Sequence, residues 1–183
     1  MPLNNPTMIT CLQNLIQKNQ NLEEFNISDS QISLLNFQEL INSLAEVDNV
    51  KTLNFAGLNS FKRSNIDKSE NLSEYELYRR YYNFKSEKKE ILDAVIQRLC
   101  DIILKSINLR HLDVSRLGLE EKIINIAQAA RGSIGLLSIH FSENELTNSQ
   151  IQKVFVELGV DAPNFVFGRQ HKFADENKDG PDW

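Results

Sequence analysis

Two cysteines, seven glycines and four prolines in 183 residues leave little room for several kinds of protein. Cys11 and Cys100 cannot build a disulfide framework, and no cysteine–histidine spacing suited to zinc occurs. Both cysteines stand among apolar residues at helical spacing, which predicts two reduced thiols in a core. So few glycines supply little material for phosphate-cradling loops; no G-x-x-x-x-G-K-[ST], G-x-G-x-x-G or G-x-S-x-G is present. No cofactor, metal or small-molecule substrate is therefore expected. No run of 18 apolar residues exists, so no membrane-spanning helix is expected. The first twenty residues lack a charged and then apolar leader, and the first arginine is Arg63. Neither a secretory signal nor a transit peptide is predicted, and the expected location is intracellular and cytoplasmic. Positive charge is also in deficit. A net charge of −5 without a basic stripe argues against nucleic acid as the partner.

What the chain does contain is one pattern, apolar-x-x-apolar-x-apolar, written four times. Leu22-Glu23-Glu24-Phe25-Asn26-Ile27 is echoed by Val50-Lys51-Thr52-Leu53-Asn54-Phe55. Leu109-Arg110-His111-Leu112-Asp113-Val114 and Leu136-Leu137-Ser138-Ile139-His140-Phe141 repeat it. The first pair starts 28 residues apart, the second pair 27, and the middle interval is 59. A fixed period of this size marks a solenoid, in which each unit buries its apolar edge against its neighbours. With 41% hydrophobic and 25% charged residues, the chain can build such a core without staples. Leu22, Phe25, Ile27, Leu53, Phe55, Leu112, Val114, Ile139 and Phe141 are predicted to point into it.

Helical spacing fills the intervals. Met8, Leu12, Leu15 and Ile16 predict a helix after Thr7, its expected N-cap, that closes the open edge of the first unit. Phe37, Leu40, Ile41 and Leu44 predict a second, with Asn36 as cap and Glu39 as its capping-box partner. Ile91, Leu92, Val95, Ile96, Leu99, Ile102 and Ile103 give a third stripe, with Ser86 as a candidate cap. Ile151, Val154, Phe155 and Leu158 give another, started by Thr147-Asn148-Ser149 and stopped by Gly159. Leu72 to Leu77 again fits the strand pattern, and is read either as a degenerate fifth strand or as part of an inserted helix. Residues 60–70 read as a polar surface connection.

Leu136, Ile139, Phe141, Asn144 and Leu146 match L-x-x-L-x-L-x-x-N-x-L position by position. The chain thus resembles the leucine-rich-repeat proteins over about residues 22–158, and its helical return strokes resemble the ribonuclease-inhibitor-like subclass. The resemblance implies an α/β solenoid with parallel strands on a concave face and helices on a convex face. It divides the chain into an N-terminal capping helix (1–21), a solenoid (22–160, irregular over 60–107) and a C-terminal extension (161–183). The family's asparagine position is occupied by Ser30, Leu58, Leu117 and Asn144. Only the last keeps the residue type, which leaves the turns at Leu58 and Leu117 to apolar packing.

Strand alternation sets the candidate binding residues. Outward positions are Glu23, Glu24 and Asn26, then Lys51, Thr52 and Asn54, then Arg110, His111 and Asp113, then Leu137, Ser138 and His140. Tyr75, Tyr78, Arg79, Arg80, Tyr81, Tyr82 and Phe84 form the densest aromatic and basic cluster, of the residue types that anchor protein interfaces. His111, Asp113 and His140 can approach across strands, but this group lacks a nucleophile and a fourth metal ligand. At the C-terminal end, Pro163, Phe165, Phe167 and Trp183 suggest partial packing on the last unit. Asp175 to Gly180 copies the opening half of an EF-hand loop, D-x-[DN]-x-[DN]-G. The given sequence reaches only the ninth loop position at Trp183, so no tight calcium binding is expected, and the segment reads as a free polar tail. The functional expectation is a non-enzymatic protein-binding or scaffold protein, a subunit of a larger assembly. Two other readings stay open: a transient recognition or effector protein, and an enzyme using the His111/Asp113/His140 face.

Overall fold

The structure is a computed structural model that describes Leu3, residues 5–58 and residues 74–160, with side chains over 74–87 left aside. The C-terminal extension, the half EF-hand pattern and the 60–70 connection lie outside the described residues.

Local chemistry sets each element. Helix α1 (Pro6–Lys18) starts at Asn5, whose Oδ1 accepts the Thr7 N–H at 2.9 Å, with Pro6 in the first position. Proline suits that position because its missing N–H would have no partner there. The cap is thus two residues earlier than Thr7. Strand β1 (Glu24–Asn26) leads to helix α2 (Leu34–Leu44), capped by Ser33, whose Oγ accepts the Asn36 N–H at 3.2 Å. Asn36, the expected cap, lies inside the helix. Strand β2 (Thr52–Asn54) is followed by helix α3 (Glu74–Lys105), strand β3 (His111–Asp113), a 3-10 turn (Glu120–Lys122) and helix α4 (Ile123–Gly132). Strand β4 (Ser138–His140) and helix α5 (Asn148–Leu158) complete the order. The cap on α5 falls at Thr147 and the stop at Gly159 (φ 71°), as the sequence predicts, and Gln150 completes a capping box that the sequence reading did not include.

The strands form one parallel sheet in sequence order, β1-β2-β3-β4. Phe25, Leu53, Leu112 and Ile139 stand in one row across it, the register the four echoes demand. Since β2 pairs directly with β3, no strand from residues 72–77 lies between them. The fifth-strand reading is corrected: residues 74–77 belong to α3. The physical reason is composition. From Leu72 to Glu90 there is no Val, Ile or Thr, and Glu, Leu, Arg and Lys dominate, which favours helix over strand. Helix α3 therefore starts well before Ser86. At 32 residues it is about 48 Å long, against about 17 Å for α2, so its first half overruns the helical layer.

The core runs through all four units. Leu22, Phe25, Ile27, Leu53, Phe55, Leu112 and Val114 are buried, as predicted, and Phe55 packs edge-on against Phe37 at 5.1 Å and Phe25 at 6.4 Å. Ile16 and Ile9 of α1 close one end. The other end differs: Ile139 and Phe141 are only half-buried, because no fifth unit among the described residues packs on them. Asn144 is fully buried. Its Oδ1 accepts the N–H groups of Leu117 and Leu119 at 3.2 Å each, and its Nδ2 donates to the carbonyls of Val114 and Phe141 at 2.9 Å. The turn at Leu117 is therefore held by hydrogen bonds from the next unit as well as by packing. Leu58, fully buried, takes the apolar role expected of it. The cysteines divide: Cys100 is buried, but Cys11 is exposed on α1, contrary to the two-core-thiol expectation.

Candidate functional site

Two rows of side chains point outward from the sheet, set by alternation about the buried middle row. One runs Glu24, Thr52, His111, Ser138; the other runs Asn26, Asn54, Asp113, His140. Glu23, Lys51, Arg110 and Leu137 precede the strands by one position and form a third row along their N-terminal margin. The sequence-predicted strand residues are thus brought onto one surface.

Many of them are already engaged. Asn26 Oδ1 accepts the Ser28 N–H at 3.0 Å, Asn54 Oδ1 that of Ala56 at 3.0 Å, and Asp113 Oδ1 that of Ser115 at 2.9 Å. These three residues close an Asx turn at the end of each strand, a structural task. Lys51 Nζ lies 2.6 Å from Glu23 Oε1, and Arg110 donates to the Gly135 carbonyl at 2.7 Å. His111 Nδ1 lies 2.6 Å from Ser138 Oγ. His140 faces Asp113 in register and is exposed. Glu24 is exposed and Thr52 half-exposed. Among the described residues no group of three or more His, Cys, Asp or Glu is placed to hold a metal ion. No helix there is long and apolar enough to cross a membrane.

Positions 75, 78, 79, 80 and 82, the aromatic and basic cluster of the sequence, fall inside α3. Helix α3 ends beside the start of β3, so these positions lie in its first half, the overrunning end near the strand-exit side. That side carries a feature the sequence reading missed. Asp29, Gly57, Arg116 and Glu143 hold equivalent positions, four residues after the centre of each strand, and all have φ between 54° and 70°. Arg116 reaches over Gly57 to form a two-pronged ion pair with Asp29, at 3.0 and 3.2 Å. A side chain at Gly57 would strike Asp29 Oδ1 at 2.2 Å, so glycine is needed there for space as well as for backbone angle. Non-glycine residues at three of the four positions hid this turn from composition alone.

A second missed feature is apolar. Leu104, Ile107, Ile134 and Leu137 are exposed to 49%, 64%, 87% and 75%, on the side where helices end and strands begin. Ile107 and Ile134 are 27 residues apart, so the period itself was the signal that could have paired them.

No protein-family model and no curated protein matches the chain. Among solved structures it is similar to the tropomodulin C-terminal domain of Caenorhabditis elegans, at 13% identity and a TM-score of 0.41. That match covers 82% of this chain and 91% of the other. The class of protein defined here is an α/β chain whose described residues hold a four-stranded parallel sheet and five helices.

Proposed function

We propose that the chain is a non-enzymatic protein-binding module of the leucine-rich-repeat type, a solenoid of the ribonuclease-inhibitor-like subclass serving as scaffold or subunit of a larger assembly. The observation that carries this reading is the strand face. Four parallel strands in sequence order present two registered rows of polar side chains from a backbone pinned by its neighbours. Side chains on such a backbone lose little further freedom on binding, which favours recognition. Of the candidate residues in the two strand rows, Glu24, His111 and His140 are exposed and lie outside the Asx turns, so they are the central partner contacts in this reading. Glu23 with Lys51 and Arg110 form the margin of that surface. Asn26, Asn54 and Asp113 shape the strand ends, and the Tyr75, Tyr78, Arg79, Arg80 and Tyr82 segment of α3 is the second contact region of this reading. The partner is a protein, and the site of action is the cytoplasm.

Affinity capture at native expression level, followed by quantitative binding of the captured protein, tests this. Glu24→Lys with His140→Glu should weaken binding tenfold or more, about 1.4 kcal/mol. Lys153→Glu, on the exposed face of α5, should change it little. Lys122 is unsuitable as a control because it pairs with Asp93. Loss of binding in Lys153→Glu with full binding in the strand-face variant overturns the assignment.

A further inference from the structure

Where the helices end and the next strands begin, the two halves of the sheet carry different chemistry. At one repeat position the residues are Gln20, Asp48, Ile107 and Ile134; at another they are Glu23, Lys51, Arg110 and Leu137. The first two units are polar at both positions, and the last two are apolar except for Arg110. The backbone joins the apolar residues into a patch. Gly135 lies so close under the loop of Ser106, Ile107 and Leu109 that an added Cβ would meet their carbonyls at 2.8–2.9 Å. Gly132 stands against the Leu104 side chain in the same way, at 2.9 Å. Leu137 bonds through its N–H to the Arg110 carbonyl at 2.8 Å. Leu104, Ile107, Ile134 and Leu137 therefore neighbour one another, and all are exposed.

Positive charge rims this patch. Lys105 ends α3 and Arg131 ends α4, both exposed, and Arg110 sits between the two loops. The nearby Asp101 is taken up by Gln97 and Arg98 on its own helix. Each helix end contributes about half a negative charge, less than the full charge of the basic side chain beside it. In a chain of net charge −5, an apolar patch with a basic rim selects an acidic, apolar occupant.

The chain itself contains one. Phe173 to Trp183 holds Asp175, Glu176, Asp179 and Asp182 against a single Lys178, with an aromatic residue at each end. The described chain leaves α5 on this same edge, since Gly159 lies against the Arg131 side chain, 3.4 Å from its Nε to an added Cβ. The twelve residues 161–172 can reach up to about 40 Å, ample for a return to the adjacent loops. We propose that Phe173–Trp183 docks on this edge, with its aromatic ends on Ile107, Ile134 and Leu137 and its carboxylates toward Lys105, Arg110 and Arg131. The segment that reads from sequence as a free tail thus becomes a ligand of its own chain, on an edge that adjoins the strand face at Arg110 and Leu137.

Trp183 is the only tryptophan, so its fluorescence reports the segment directly. In the full chain its emission should lie at shorter wavelength than in a synthetic 173–183 peptide, and a soluble quencher should reach it several-fold more slowly. Ile107→Ser with Ile134→Ser should restore both peptide values. Lys105→Glu with Arg131→Glu should do the same without removing apolar surface, which keeps the test valid if the serine pair fails to fold. Peptide-like emission in the unaltered chain overturns the proposal. So does a shifted emission that both variant pairs leave unchanged, which would place the segment elsewhere, such as over Ile139 and Phe141. A shift that appears only as protein concentration rises, together with a dimer in sedimentation, also overturns it, because the occupant would then be a second copy.

Discussion

Asn144 shows how much one residue can carry. Its side chain satisfies two N–H groups and two carbonyls in adjacent units, and removing it leaves those groups buried without partners. Each orphaned group costs about 1–3 kcal/mol. Asn144→Ala should therefore lower stability by roughly 4 kcal/mol or more in a denaturant melt, and a loss under 1 kcal/mol would contradict the network. The thiols give a second test. Burial, and then the charge of Asp101, raise the Cys100 pKa from 9.0 to about 11, while Cys11 is exposed. A thiol reagent at neutral pH should modify Cys11 rapidly and Cys100 only on unfolding. The raised pKa also has a sign. The folded state keeps the Cys100 proton that the unfolded chain releases, so its contribution is intact below pH 9 and lost as pH rises from 9 to 11. Cys100→Ser should flatten that part of the stability–pH curve. An unchanged decline would assign the effect to other groups.

At the scale of elements, the apolar periods made most of the architecture legible. The four echoes placed every strand, because a parallel sheet in register must repeat its inward residues at the interval of the unit. Caps were less legible. Asn5 and Ser33 won over Thr7 and Asn36 because several residues near a helix start can accept an N–H, and backbone geometry decides among them. The strand reading of residues 72–77 failed because a pattern six residues long carries no propensity, and the residues there favour helix. Of the site, alternation gave the outward rows, but not which of their side chains were already bound. The Asx turns of Asn26, Asn54 and Asp113 depend on each strand ending at that residue, so that its side chain can accept the N–H two positions on, which no spacing within one strand encodes. Burial also revises what truncation should cost. Phe55, fully buried in unit two, should lose about 3–5 kcal/mol on change to Ala. Phe141, half-buried in the last unit, should lose roughly half of that. Equal losses in thermal denaturation would mean that Phe141 is covered as fully as Phe55.

Over the whole molecule, stacking has a functional consequence. The two inner strands are paired on both sides and the two outer ones on one, so neighbours hold the sheet while its outward side chains stand outside the core. The proposed binding face and the proposed docking edge adjoin at Arg110 and Leu137, but the variants chosen for each share no residue, so the strand-face variants and the edge variants should act independently. Coupling between them beyond about 0.5 kcal/mol would indicate one shared surface. Of the three histidines, His111 and His140 lie on the strand face and His171 falls in the C-terminal extension. The most direct measurement is an NMR titration of the three imidazole signals with the captured partner. The account predicts that the His111 and His140 signals move in step with binding, while signals from exposed Lys153 on α5 stay fixed. Saturable binding that moves the Lys153 signals and leaves both strand-face histidines unchanged would contradict it.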